Sequence, residues 1–403
     1  EADIATAIAA GGITLSTHEA ITVSDAVTVA QANSFQAATD GVITATLSDH
    51  AAGTLAGLNG TGNAYTVTVT GSADAADLNT IDGATTVTVD ASGVTALTGV
   101  EADIANAIAA GGITLSTHEA VTVSDAVTVA QANGIQAVTD GVITATLSDT
   151  SAATLAGLNG TGNAYTVTVA AGSAAAADLN AIDAATTVAV GASAVTTLTG
   201  LEADIATAVA AGGITLSTHE AITVSDAVTV AQANSFQAVT DGVITATLSD
   251  TSAATLAGLN GTGNAYTVTV TGSANAADLN TIDGATTVTV DASGVTTLTG
   301  LESDIATAVA AGGITLSTHE AITVSDAVTV AQANSFQAAT DGVITATLSD
   351  TSAATLAGLN GTGNAYTVTV TGSADAGDLN TIDAATTVTV DASGVTALTG
   401  VEA

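Results

Sequence analysis

The residues best suited to chemistry in this chain are acids, and they recur in rows. Asp25, Asp125, Asp226 and Asp326 are equivalent positions of four internal copies, as are Asp49, Asp149, Asp250 and Asp350. A third row holds Asp90, Asp291 and Asp391, with Gly191 in the remaining copy. Members of the first two rows follow an alternating Thr/Val-type run and precede an Ala-rich segment. The third row sits at another strand end. If the strands stack, their ends lie about 5 Å apart. Carboxylates at that spacing repel by up to about 3 kcal/mol per pair at an effective dielectric near 20. A calcium ion removes the repulsion, because hard oxygen ligands suit it. These acids are therefore the candidate calcium ligands. The competing reading needs no ion: Asp is a favoured helix N-cap, and the helix dipole stabilises its charge.

Other chemistry is sparse. Asp40, Asp82 and their copies precede Gly or Ala at the ends of Ala-rich segments, with Asn63 in the corresponding place of its own coil, and turn chemistry accounts for them. His18, His118, His219 and His319 recur in STHEA, each followed by Glu. One isolated His per copy, with no second His or Cys nearby in sequence, reads as structural and not as a metal ligand. His50 is replaced by Thr150, Thr251 and Thr351, so it is dispensable. There is no GxSxG elbow, and no P-loop lysine can exist. GTGNAY (60–65) is Gly-rich but enters a strand, whereas a phosphate cradle needs a helix N-terminus. No nucleophile–base–orienter set is visible, so the reading is not an enzyme.

The elements that position these residues follow from repetition, the first thing to seek. EADIATAIAAGGITLSTHEA starts at Glu1, with near-copies at Glu101, Glu202 and Glu302. The repeats are 1–100, 101–201, 202–301 and 302–401, and 402–403 start a further one. The chain thus reads as a window from a longer array. The one extra residue falls within 170–180, which predicts a loop there. Inside the first repeat, alternation predicts strands at 20–25, 42–49, 64–71 and 85–92. ITLS (13–16) is a further strand candidate. Between them, 24–41, 54–60, 72–83 and 100–112 read as helical, with Asp25 and Ser72 as caps and Gly83 as a terminator. A coil of about 20–30 residues cannot bury its own apolar face, but stacked coils can. The expected fold is a right-handed α/β solenoid of helix–turn–strand coils with a parallel sheet. Sixteen strands would make a sheet about 75 Å long. An all-β solenoid or tandem β-sandwich domains is the alternative.

Composition sets the remaining limits. The chain has no Lys, Arg, Pro, Cys, Met or Trp and a net charge of −38, so no side chain but a protonated His can neutralise an acid. Without cations, nucleic-acid binding has no phosphate partner, and anionic membrane surfaces repel the chain. With 47% hydrophobic residues the chain is not of disordered type. Most of these are Ala, Val, Ile and Leu, which predict a thin core. No run of 18 apolar residues is present, so no membrane insertion is expected. The Thr rows (Thr44 and Thr46; Thr66, Thr68 and Thr70; Thr86 and Thr88) would share one sheet face. Such a grid suits lateral packing, a carbohydrate-rich surface or, as in some β-solenoid antifreeze proteins, ice. Thr is also simply a good strand former.

Near-identical hundred-residue units carrying ADLNTIDGATTVTV and GTGNAYTVTVTG resemble the repeat regions of giant secreted and cell-surface bacterial proteins, cyanobacterial ones included. The resemblance covers essentially the whole chain. It implies an extracellular structural role in adhesion, surface layers, fibres or motility. The GGxGxD calcium-roll nonapeptide is absent. The expected function is a structural repeat segment forming a rod or fibre, with other copies or adjoining repeats as partners. A calcium-stiffened adhesin stalk is the second expectation, and an ice-binding or polysaccharide-binding Thr face the third.

Overall fold

The computed structural model describes residues 1–401. Strands form where an apolar residue occupies every second position. In Ile43–Thr46, Ile43 and Ala45 point inward and Thr44 and Thr46 outward. The chain then turns back through a short helix whose inner face is apolar. Ala32 and Phe35 are buried on Val29–Gln36, and Leu78 and Ile81 on Ala75–Ala84. One strand plus one helix makes a coil, and four coils make a repeat. After the helix Ala2–Ala9 and the strand Ile21–Thr22, the first repeat continues through Val29–Gln36, Ile43–Thr46, Ala52–Leu55, Ala64–Thr66, Thr68–Asp74, Ala75–Ala84 and Val89–Gly99, and Glu101–Ala109 opens the second.

The strands pair in parallel, each with the strand of the next coil. Thr44 faces Ala64, Leu97 faces Val121, and Val121 faces Ile143. Every crossover carries a helix, so neither a β-sandwich nor an all-β solenoid describes the chain. It is an α/β solenoid-like repeat fold without barrel closure. Two compact units divide it, Glu1–Val195 with Ala210–Leu216, and Thr196–Val209 with Ser217–Ala403. Both are built from the same coils. In the second, Leu298 faces Ile322 and Ile322 faces Ile344, the same parallel order. Few aromatics are present, but all seven are core: Tyr65, Phe35 and their equivalents are nearly or completely covered.

Several expected boundaries shift. The segment 24–41 is not one helix. Its start is a bend at Ser24 and Asp25, strand only in later copies (Ala120–Val127 in the second), and the helix begins at Val29 with Thr28 as its cap. Thr28 accepts from the Gln31 N–H while the Gln31 side chain accepts from Thr28 N–H, a reciprocal capping box in which Asp25 takes no part. Asp74, not Ser72, caps Ala75–Ala84: its side chain accepts from Ala76 N–H at 2.9 Å, while Ser72 lies two residues further back in the strand Thr68–Asp74. The helix also runs past Gly83 to Ala84. The helix expected at 54–60 is only Ala52–Leu55. The strand expected at 85–92 runs instead over Val89–Gly99. ITLS forms a strand in later copies, as at Ile113–Leu115 and Ile314–Leu316. The extra residue near 170 shortens the third-coil strand to Gly172–Ala175, where other copies have Thr68–Asp74 or Thr269–Asn275.

Candidate functional site

The conserved-looking acids of the first two rows sit where one coil meets the next. Val100 precedes the helix Glu101–Ala109 and has no side chain able to cap it. Asp125, from the following coil, accepts from Glu101 N–H at 2.7 Å, and Asp226 and Asp326 do the same for Glu202 and Glu302. Asp25 takes the amino group of Glu1 at 3.0 Å. The second row repeats the device one coil on. Asp49 and Asp149 accept from Val29 and Val129 N–H at 2.7 Å, Asp250 and Asp350 from Val230 and Val330 N–H at 2.8 Å. Each carboxylate thus caps the helix of the previous coil, about 20–24 residues back in sequence. The expected cap role holds, but across a coil boundary and not on the following helix. A free helix N-terminus carries unpaired N–H groups and a partial positive charge, which such an acid satisfies.

The third row does something different. Asp90 folds back on Ser92, accepting its N–H at 3.1 Å and its hydroxyl at 2.6 Å. Asp291 and Asp391 hold Ser293 and Ser393 the same way. These donors, the hydroxyl foremost, lower the three carboxyl pKa values. Among the described residues, no three His, Asp or Glu side chains are gathered to hold a metal ion. The eleven candidate ligands are thus not gathered in threes.

The His residues gain a partner that sequence reading did not assign. His118 Nδ1 lies 2.5 Å from Asp140 Oδ1, and His219 and His319 pair equally with Asp241 and Asp341. His18 pairs with Asp40. The carboxylate hydrogen bond, then its charge, raises each imidazole pKa. All four pairs are exposed. Beside them Glu119, Glu220 and Glu320 are buried, each with Oε2 lacking a hydrogen-bond partner. Desolvation, the largest influence, raises their pKa values.

The polar residues that organise the core were the least visible in sequence. Thr39, Asn63 and Thr85 are buried just before successive strands. Thr39 donates to Glu19 O at 2.7 Å. Asn63 accepts from Ile43 N–H at 2.9 Å and donates to Gln36 Oε1 at 2.7 Å. Thr85 accepts from Tyr65 N–H at 3.0 Å and donates to Tyr65 O at 2.8 Å. Each side chain stands in for a backbone partner where the ladder lapses at a corner, which buried amides and carbonyls require. The available signal was their identity in all four copies, for example Asn63, Asn163, Asn264 and Asn364.

The outer sheet face does carry Thr ladders. Thr98, Thr122 and Thr144 are in register, as are Thr146 and Thr166. The grid is interrupted, since Thr144 next faces Ala164. No helix among the described residues is long and apolar enough to cross a membrane. Comparison with protein-family models, with curated proteins and with solved structures finds no match to this chain.

Proposed function

We propose that this chain is a structural repeat segment of a large extracellular or cell-surface protein, acting as a stalk or fibre element and not as an enzyme. The observation that carries this reading is the use of polar side chains. The best-placed acids are spent on joining one coil to the next, as Asp149 does for Val129. Near-identical repeats joined in this way add length by copy number, each contacting mainly its neighbours. Imaging of the native parent material tests the reading: filaments or stalks are expected, and compact particles would overturn it.

A calcium-stiffened stalk is the second reading, favoured by a charge of −38 without a single Lys or Arg. Asp90, Asp291 and Asp391 would be accessible ligands, as would Asp25, Asp125, Asp226 and Asp326, since all are exposed. Calcium should then raise the melting temperature and EDTA reverse it. Equal melting in both sinks this version alone. The Thr ladders support a third use, contact with polysaccharide or ice, which thermal hysteresis and glycan binding would reveal.

A further inference from the structure

A cavity in the second repeat holds an acid that the capping scheme does not use. Its volume is about 180 Å³, and Ile108, Leu115, Ser116, Thr117, Glu119 and Val138 line it. Three elements of the first compact unit bring these residues together. Ile108 belongs to the helix Glu101–Ala109, Leu115 ends the strand Ile113–Leu115, and Val138 follows the helix Val129–Gln136. The rim reaches solvent, since Val138 is 39% exposed. Glu119 is only 1% exposed, and its Oε2 has no hydrogen-bond partner. An apolar-walled cavity thus contains a carboxylate that nothing satisfies.

Such an oxygen is costly to bury and is relieved by a donor or a cation. The chain has no Lys or Arg to supply one. His118, next to Glu119 in sequence, is already turned to Asp140, with Nδ1 2.5 Å from Oδ1. The donor set does not suit calcium, which takes about six to eight oxygens. Among the described residues no three His, Asp or Glu side chains gather, and Ile108, Leu115 and Val138 offer no ligand atom. An alkylammonium ion does match. Its head is a compact charge with three donors, and its stem is apolar. The head can meet Glu119 Oε2 and Ser116 Oγ. That hydroxyl accepts from His118 N–H at 2.9 Å and keeps a second lone pair. The stem lies against Ile108, Leu115 and Val138, as long basic side chains lie along apolar surface. The charge of −38 draws a cation toward the site.

We propose that this cavity binds an alkylammonium group, the chemistry of a lysine side chain or of a free aliphatic amine, with Glu119 as its counter-charge. Glu19, Glu220 and Glu320 leave the same oxygen without a partner, so the anchoring acid recurs along the chain. The proposal goes beyond the stalk reading and does not depend on it. Compact native material would remove that reading and leave this site standing.

Thermal melting of the 403-residue chain at pH 8 tests it, with the chloride salts of n-butylammonium, Nα-acetyl-lysine methylamide, tetramethylammonium, calcium and sodium compared at equal ionic strength. n-Butylammonium should raise the melting temperature about twice as far as sodium, because binding to the folded state adds to screening. Tetramethylammonium, which has no N–H to donate, should match sodium. Glu119→Gln keeps the size of the side chain and removes its charge, and it should lower the excess over sodium. Gln at Glu19, Glu119, Glu220 and Glu320 together should abolish it. A lysine derivative as effective as n-butylammonium assigns the site to the side chains of a partner protein. A gain from n-butylammonium alone assigns it to free amines, and either result upholds the site. An n-butylammonium effect no larger than sodium's, an excess that Glu119→Gln leaves whole, or an equal and Gln-sensitive excess with calcium would each overturn the proposal.

Discussion

Glu119, Glu220 and Glu320 are buried acids in a protein without side-chain cations other than His. Each is buried, each has an oxygen without a hydrogen-bond partner, and no Lys or Arg exists to pair with it. Burial raises its pKa, opposed first by a backbone hydrogen bond to the carboxylate and then by the neighbouring imidazole. A carboxyl whose folded pKa is raised contributes stability below its unfolded value of about 4.3 and loses it as pH rises through the folded value. At neutral pH the charge is therefore a burden. Replacing all three by Gln should raise the melting temperature at pH 8 and give no gain at pH 4. Calorimetry at the two pH values decides it; an equal or larger gain at pH 4 would contradict the burial argument.

Among the elements, the helices depend on acids borrowed from the next coil. Val129–Gln136 has its own capping box from Thr128 and Gln131, and Asp149 adds a carboxylate to Val129 N–H. Asp149→Ala should cost about 0.5–2 kcal/mol, the usual loss for a missing helix cap. Urea unfolding should show this as a lower midpoint with an unchanged slope. Asp149→Asn, which keeps an accepting oxygen, should recover most of it. If the loss occurs only with calcium present and vanishes in EDTA, Asp149 acts as a metal ligand and the capping account fails.

At the scale of the whole molecule the titrating groups set a stability window. The His–Asp pairs raise the imidazole pKa, so their contribution is full below about pH 6.5 and is lost as pH rises through the folded value. The three buried Glu residues push the same way, as does repulsion within a chain of charge −38. Asp90, Asp291 and Asp391 act oppositely. Their lowered pKa values give stability that is present above about pH 3.9 and lost as pH falls through the folded values. The melting temperature should therefore be highest between about pH 4 and 6.5. It should decline toward pH 8, and added salt should reduce that decline. A melting temperature that climbs steadily from pH 5 to 8 would contradict this balance.

The sequence by itself determined the repeat and the parallel strand-and-helix coil, and it left the acids between a capping and a calcium reading. These are local properties: alternation decides which face of a strand is buried, and a run such as AADLN carries its own helical spacing. Tertiary structure alone decided which partner each acid meets. Asp125 lies 24 residues from the amide it caps and Asp140 lies 22 from His118. Only the pitch of the coil, which returns the chain to one corner about every 20–25 residues, brings such pairs within hydrogen-bonding reach. The buried rungs at Thr39 and Thr85 escaped notice, and Asn63 was read as a turn residue, for the same reason: a polar residue before a strand looks like a turn until the neighbouring coil covers it.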